Sequence, residues 1–173
     1  MFETERCSIN TFQKSDYFDV KKLYVNQEVR RFSGGIRQED SIGVVMDEML
    51  NSSDDSFYWV VREKLTENFI GLVSLDPHHE GVYPEISYQL LPEWWGSGYA
   101  TEVIQVILNF ALNELNLAKV VAETQTANKS SCRLLERVGM EWERTISRFG
   151  AEQAIYSIQS KNQGGTWRIN TIY

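Results

Sequence analysis

Two glycines, Gly96 and Gly98, are separated by one residue in WWGSGYATE, residues 94–102, just before a long apolar helical pattern. A strand that ends at Leu91, a glycine loop and a helix start bring several unpaired backbone amides to one point. The positive end of the helix dipole attracts anions there, and glycine lets a phosphate approach the amides closely. The spacing therefore predicts that this loop binds a pyrophosphate group through its backbone.

The same loop is similar to the dinucleotide-binding fingerprint, which makes an NAD-binding oxidoreductase the main alternative. Glu123, at the end of the next predicted strand, stands where that fingerprint has its ribose-binding acid. However, Thr101 replaces the third glycine, and the fingerprint usually opens a series of strand-helix units instead of following helix pairs and meander strands. A strand-to-helix turn that binds no ligand is a further alternative, since a lone Gly-x-Gly is a weak signal.

Hydrophobic periodicity places this loop within a series of strands and helices. The residues after the loop have the spacing of one helix face packed on a sheet: Ala100, Val103, Ile104, Ile107 and Ala111. Further helices are predicted at 16–26, 39–50 and 128–138, the first with Phe18, Leu23 and Tyr24 on one face. Strands are predicted near 7–12, 57–63, 68–75, 85–91, 119–124, 140–147 and 153–159.

These elements predict one α+β domain at residues 1–160, with a mixed, strongly twisted sheet of six or seven strands and about four helices. The polar, glycine-bearing segment 161–173 is predicted to be a C-terminal tail. A chain of 173 residues with 42% hydrophobic residues suits a single core.

Charge and composition exclude several functional classes. A net charge of -7 argues against a nucleic-acid or anionic-membrane surface and favours a cationic acceptor. The first ten residues, MFETERCSIN, lack the apolar segment of a signal peptide or membrane anchor, so a cytoplasmic protein is expected. Cys7 and Cys132 lack the spacing of a zinc site or a disulfide framework, and no metal is expected.

Three segments of the chain resemble the GNAT N-acetyltransferases, in particular their RimJ/RimL-like branch. The phosphate motif of that family, Arg or Gln, two residues, Gly, one residue, Gly or Ala, falls here on Trp95, Gly98 and Ala100. Trp95 departs from the first position, but the backbone amides carry the binding. The matching segments are TER at 4–6, EISYQLLPEWWGSGYATE at 85–102 and NKSSCRLLERVGM at 128–140.

The resemblance implies acetyl-CoA as co-substrate, lying between two central strands that splay apart. The pantetheine arm would bond to the backbone at Leu90 and Leu91, and Asn128 would contact the arm, cap the following helix, or do both. The pyrophosphate would rest on the amides of Gly96, Ser97, Gly98, Tyr99, Ala100 and Thr101.

Acetyl transfer to an amine needs a base, an oxyanion donor and support for the departing thiolate. Glu85 aligns with the family's glutamate and is the expected base, acting through a water. Its alternative role is a strand-end carboxylate paired with a neighbour. A backbone amide of the splayed strand would serve the oxyanion. Relatives use a tyrosine on the helix after Asn128, but RLLER contains none, so Ser131 is expected to hydrogen-bond the thiolate.

Other conspicuous residues are expected to have structural or solvated roles. His78 and His79 are expected to be solvated in a turn and not to bind metal, although one of them could reach the acceptor as a base or pH switch. Arg30 and Arg31 lie in a region that lines the acceptor pocket in the family, although a solvated pair is favoured. We expect Trp59, Trp94 and Trp95 to lie in the core or at the rim of the pocket. One of these rings, if exposed, could stack on the acceptor.

The acceptor stays open at this level, since a protein amino terminus, a polyamine, an amino acid and an aminoglycoside all present a primary amine. A homodimer is also left open. A CoA-binding module without catalytic activity is the remaining alternative from another functional class.

Overall fold

A twisted sheet of eight strands forms the centre of the protein, which we describe from a computed structural model of residues 1–161. The strand order is β1-β2-β3-β4-β5-β6-β8-β7, and every neighbouring pair is antiparallel except the parallel pair β5 and β6. The strands are β1 Phe2–Glu3, β2 Cys7–Thr11, β3 Phe57–Glu63, β4 Phe69–Pro77, β5 Pro84–Leu90, β6 Lys119–Gln125, β7 Glu141–Arg148 and β8 Ala151–Gln159.

Four α-helices pack on the two faces of this sheet. The third continues from Asn109 into one π-helical segment, Phe110–Glu114, and short 3-10 turns lie at Lys14–Asp16 and Pro92–Trp94. None of the helices in residues 1–161 has the length and apolarity that crossing a membrane requires. The helices are α1 Tyr17–Tyr24, α2 Glu39–Leu50, α3 Tyr99–Asn109 and α4 Lys129–Arg137.

Two apolar clusters divide the molecule into layers. One face of the sheet packs against α3 and α4 through Val103, Ile104, Ile107 and Leu135. On the other face, α1 and α2 cover β3 and β4. The two faces of β5 therefore point toward different helix pairs, because successive side chains of a strand alternate.

The α+β fold class and the predicted strands are confirmed, with one strand more than expected. The additional strand, β1, has two residues and is too short to show an alternating pattern. The prediction of the buried face of α1 was partly wrong. Leu23 and Tyr24 are buried as predicted, but Phe18 is 78% exposed, and Val20 is buried instead. The predicted tail, apart from Lys161, lies outside the described residues.

Candidate active site

The glycine loop connects β5 to α3, and its amides point outward from the helix start. Gly96 and Gly98 have φ angles of 73° and 84°, in the left-handed region that favours glycine, and Gly98 is the N-cap of α3. Within residues 1–161, no amide from Gly96 to Thr101 donates to a protein acceptor, whereas Glu102 N donates to Gly98 O at 3.1 Å. This end of α3 can therefore bind an anion through its backbone.

Arg6, in the turn between β1 and β2, holds this loop in place. Its Nη1 donates to the Ser97 carbonyl at 2.9 Å and its Nε to Glu102 Oε2 at 2.8 Å, while its guanidinium lies 4.0 Å from the Tyr99 ring centroid. The Arg6 amide and the Thr4 hydroxyl donate to the same Glu102 carboxylate. Sequence reasoning quoted TER as part of a motif but missed this function, because the contacts join distant parts of the chain.

The sheet opens beside the loop, between β5 and β6. Among the described residues, these two strands form a single backbone bridge, between Glu85 and Val121, and they are not paired beyond it. Glu123 N, further along β6, donates to the Glu85 side chain at Oε1, at 3.3 Å. The Glu85 carboxylate thus lies where the gap between the strands begins, and β5 runs from there toward the glycine loop.

Leu90 faces this gap but Leu91 does not, which corrects the expectation that both would present their backbone to a ligand. Leu91 N donates to Ile70 O of β4 at 2.9 Å. Because hydrogen-bonded and non-hydrogen-bonded pairs alternate along an antiparallel ladder, the backbones of Leu90 and Tyr88 point away from β4. The Leu90 carbonyl accepts the Trp95 indole N–H at 2.8 Å, so the amides of Tyr88 and Leu90 are the donors directed at the gap.

Helix α4 begins on the α3 side of the gap and is tied to β5 by two hydroxyl groups. Asn128 is the N-cap of α4, and its Oδ1 accepts the Ser131 N–H at 3.2 Å. The Ser131 Oγ lies 2.7 Å from the Tyr88 hydroxyl oxygen. Burial raises the pKa of Tyr88 to about 12, so this hydroxyl keeps its proton at neutral pH.

Tyr88 was not among the predicted site residues, because the tyrosine of the family was expected on α4. Tyr88 reaches Ser131 from β5, across 43 positions of the chain. Strand alternation was the signal available in the sequence, since it separates Tyr88 from Glu85 and Ser87 and directs it to the α3 and α4 face.

Glu85 lies on the opposite face of β5, where other carboxylates surround it. It is directly opposite Asp76 of β4, and Glu123 of β6 is its other neighbour. Burial, followed by the negative charges of Asp76 and Glu123, raises the pKa of Glu85 to about 8. Burial also raises the pKa of Asp76. A carboxyl group with a pKa near 8 is suited to exchange a proton at neutral pH.

A buried ionic network lies next to Glu85. Glu123 Oε2 is 2.6 Å from His78 Nε2, and Glu123 Oε1 is 3.0 Å from Arg148 Nε. The side chains of His78 and Glu123 are 3% and 6% exposed. The expectation that His78 is solvated was therefore wrong, whereas His79 is exposed. Glu123 is committed to these partners, so it does not support the ribose-binding role of the dinucleotide alternative.

A cavity of about 150 Å³ lies between the sheet and the pair α1 and α2. On β4 and β5 the cavity is lined by Ser74 and Ser87, which are two positions from Asp76 and Glu85 and on the same strand face. Gln89 Oε1 is buried there without a hydrogen-bond donor from the described residues. The lining contains one carboxylate and no cationic side chain. The lining residues are Tyr24, Val45, Glu48, Met49, Tyr58, Leu72, Ser74, Ser87, Tyr88 and Gln89.

Arg30 is buried, so the expectation of a solvated arginine pair was wrong for this residue. It is 6% exposed, and its guanidinium donates to the carbonyl oxygens of Gly35, at 2.9 Å, and Ser33. It therefore shapes the loop before α2, while Arg31 is exposed.

The tryptophans divide as expected between the core and the rim. Trp59 is buried in the core, and the Trp94 indole donates to the Phe69 carbonyl at 3.0 Å. Trp95 is 48% exposed beside the glycine loop.

Comparisons with known proteins agree with this geometry. Residues 6–141 match the family model described as an acetyltransferase (GNAT) domain. The chain is 26% identical over 157 residues to the uncharacterized N-acetyltransferase YoaA of Bacillus subtilis, covering 86% of this chain and 87% of that protein.

Two solved structures share the fold. A GNAT-family acetyltransferase from Bacillus anthracis superposes with a TM-score of 0.81 at 20% identity, covering 92% of this chain and 98% of that one. The spermidine N-acetyltransferase from Vibrio cholerae, in complex with CoA and spermine, has a TM-score of 0.76 at 19% identity, covering 90% and 96%. The family model spans most of the chain, which therefore belongs to the GNAT family as an acyl-CoA-dependent acetyltransferase.

Proposed function

We propose that this enzyme is an N-acetyltransferase of the RimJ/RimL-like branch, which transfers acetyl from acetyl-CoA to a primary amine by direct attack on the thioester. The observation that carries the proposal is the opening between β5 and β6. Within residues 1–161, it begins at the single bridge at Glu85 and runs toward a helix start whose amides have no protein acceptor. From Glu85 to Leu90, β5 extends about 17 Å, enough for an extended arm to lie along it.

The coenzyme fits the groups that line this opening. Its pyrophosphate would accept hydrogen bonds from the amides between Gly96 and Thr101, which Arg6 holds in place through Ser97. Its pantetheine arm would lie along the backbone at Leu90. Asn128 uses Oδ1 for the helix cap, which leaves its amide N–H groups for the arm.

Each chemical step has a group in reach of the same opening. Glu85, acting through a water, accepts a proton from the acceptor ammonium. The amine nitrogen then attacks the thioester carbonyl, and the amide of Tyr88 stabilises the oxyanion. The C–S bond breaks, and the thiolate takes a proton from the Tyr88 hydroxyl, which Ser131 orients at 2.7 Å. The amide nitrogen loses its second proton, which returns the Tyr88 oxygen to its neutral form. Ser131 thus acts with Tyr88, in place of the isolated role that the sequence suggested.

The acceptor we propose is a small cationic amine. The cavity has about the volume of five water molecules, so it holds a short aliphatic segment. Tyr58 supplies an aromatic ring, and Glu48 supplies a negative charge, which together favour an ammonium group. The spermidine N-acetyltransferase with the same fold is consistent with this class of acceptor.

A panel of amines tests the proposal directly. Purified enzyme and acetyl-CoA are mixed with polyamines, amino acids, an aminoglycoside and peptides with free amino termini, and thiol release is followed. We expect release with at least one small cationic amine and little with peptides. Release with peptides alone would refute the small-amine assignment, and binding of CoA without release for any amine would refute the transferase assignment.

Two further measurements test the parts of the site. Acetyl-CoA, and not NADH, should raise the melting temperature. Glu85→Gln should lower kcat most near neutral pH and preserve acetyl-CoA affinity, whereas Glu143→Gln, an equivalent change at an exposed carboxylate, should preserve both. Wild-type turnover in Glu85→Gln would remove Glu85 from the mechanism.

A further inference from the structure

Glu123 takes no part in the steps proposed above, yet its carboxylate is buried beside the proposed base. Its backbone N–H donates to Glu85 Oε1 at 3.3 Å, and its side chain is 6% exposed. A buried carboxylate is costly unless partners compensate its charge, so its position needs a reason.

Two residues from other parts of the fold hold the Glu123 carboxylate. The Glu80 amide donates to His78 Nδ1 at 3.3 Å, which leaves Nε2 to carry the hydrogen donated to Glu123 Oε2 at 2.6 Å. Arg148 Nε lies 3.0 Å from Glu123 Oε1, and Arg148 Nη2 also contacts Glu80 at 3.3 Å. The charge of Glu123 is therefore held at a fixed position next to Glu85.

The charged groups facing Glu85 come from three strands and have opposite effects. Asp76 of β4 and Glu123 of β6 disfavour the ionised form of Glu85, and Arg148 of β7 favours it. His79 and the more distant Asp55 act on Asp76, with opposite signs. Removal of a carboxylate should therefore lower the pKa of Glu85, and removal of the arginine should raise it.

We propose that Glu123 is a positioning residue for acetyl transfer, whose buried charge, held by His78 and balanced by Arg148, adds to the effects of burial and of Asp76 on the base strength of Glu85. This inference rests on the proposed function, specifically on Glu85 as the base. An aliphatic ammonium has a pKa of about 10, so a carboxylate of ordinary basicity is a poor acceptor for its proton. A neighbouring negative charge makes the carboxylate a stronger base, and the arginine limits how far its pKa rises.

Opposite substitutions test this inference. Glu123→Gln keeps an acceptor for His78 but removes the charge, so the acid limb of kcat/KM against pH should move down by about one pH unit. The plateau rate should also fall, because Glu85 becomes a weaker base. Arg148→Gln should move the limb upward by a similar amount. Glu143→Gln, a carboxylate-to-amide control paired with Lys119 at the surface, should leave the limb in place.

A second readout reports Glu85 without the reaction. The backbone amide of residue 123 donates to Glu85, so its 15N–1H resonance should titrate with Glu85 and shift its midpoint as the kinetic limb does. If Glu123→Gln and Arg148→Gln transfer acetyl normally and both leave the titration midpoint unchanged, this inference is overturned and the proposed function stands. Opposite midpoint shifts without matching kinetic shifts would show that Glu85 is not the base, which refutes the proposed mechanism and the role of Glu123 with it.

Discussion

Replacing Glu85 should stabilise the protein at alkaline pH. In the folded protein the pKa of Glu85 is raised from its ordinary 4.5 to about 8, first by burial and then by Asp76 and Glu123. Between those two pH values the folded state binds a proton that the unfolded chain has released. Stability therefore falls as pH rises through this window.

The size of this effect follows from the pKa difference. About 3.5 pKa units at about 1.4 kcal/mol each correspond to at most about 5 kcal/mol above pH 8. Because the charge of Glu85 interacts with those of Asp76 and Glu123, we expect the free energy of unfolding to fall by roughly 2–5 kcal/mol across this pH window. Glutamine has nearly the same shape and no charge, so Glu85→Gln should avoid this loss. For a chain of this length, each kcal/mol corresponds to roughly 2–4 °C in melting temperature.

Urea unfolding of both proteins at several pH values from 5 to 9 measures the difference. The quantity of interest is the free energy of unfolding of Glu85→Gln minus that of the wild type. It should grow with pH and level off above pH 8. Glu143→Gln is the matched control, since the Lys119 side chain lowers the pKa of Glu143 and its difference should not grow in this window. A difference for Glu85→Gln that is constant across the range would refute the assignment of Glu85 as a buried, protonated carboxyl.

Three other substitutions test the remaining parts of the site. Gly98→Val should raise the Kd for acetyl-CoA, measured by calorimetry, at least tenfold, because a Cβ there lies 3.4 Å from Arg6 Nη2 and the φ of Gly98 is unfavourable for valine. Gly150→Val is the control: Gly150 has a similar φ of 71° and open space around it, so this change should leave the Kd unchanged. Arg6→Gln should raise this Kd about fivefold while the fold persists, and an unchanged value would contradict its anchoring role. Tyr88→Phe should lower kcat about 100-fold without changing the KM for acetyl-CoA, and equal kcat values would exclude it as the acid.

Local patterns were enough to predict the elements and the glycine loop. The stripe from Val103 to Ala111 indicated a helix packed on a sheet, and that face is buried. Gly96 and Gly98 indicated a loop between a strand and a helix, and the loop lies between β5 and α3. These features depend on residues close together in the chain, which is why a single sequence reveals them.

Contacts between distant segments could not be predicted in the same way. His78 and His79 have the same type and adjacent positions, but the conformation of the loop between β4 and β5 buries one and exposes the other. The pairing of Tyr88 with Ser131 needs the register of β5 against α4. Leu91 was expected to face the ligand, yet its place in the ladder with β4 depends on which pairs are hydrogen-bonded, and side-chain types do not encode that alternation.

The contact of Arg6 with Ser97 and Glu102 makes the first hairpin a working part of the coenzyme site. A fusion or truncation that begins the protein at β2 would keep the packed helices and sheet but would release the loop from the Arg6 guanidinium. Engineered versions of this enzyme should therefore preserve the residues before Cys7 and carry affinity tags elsewhere.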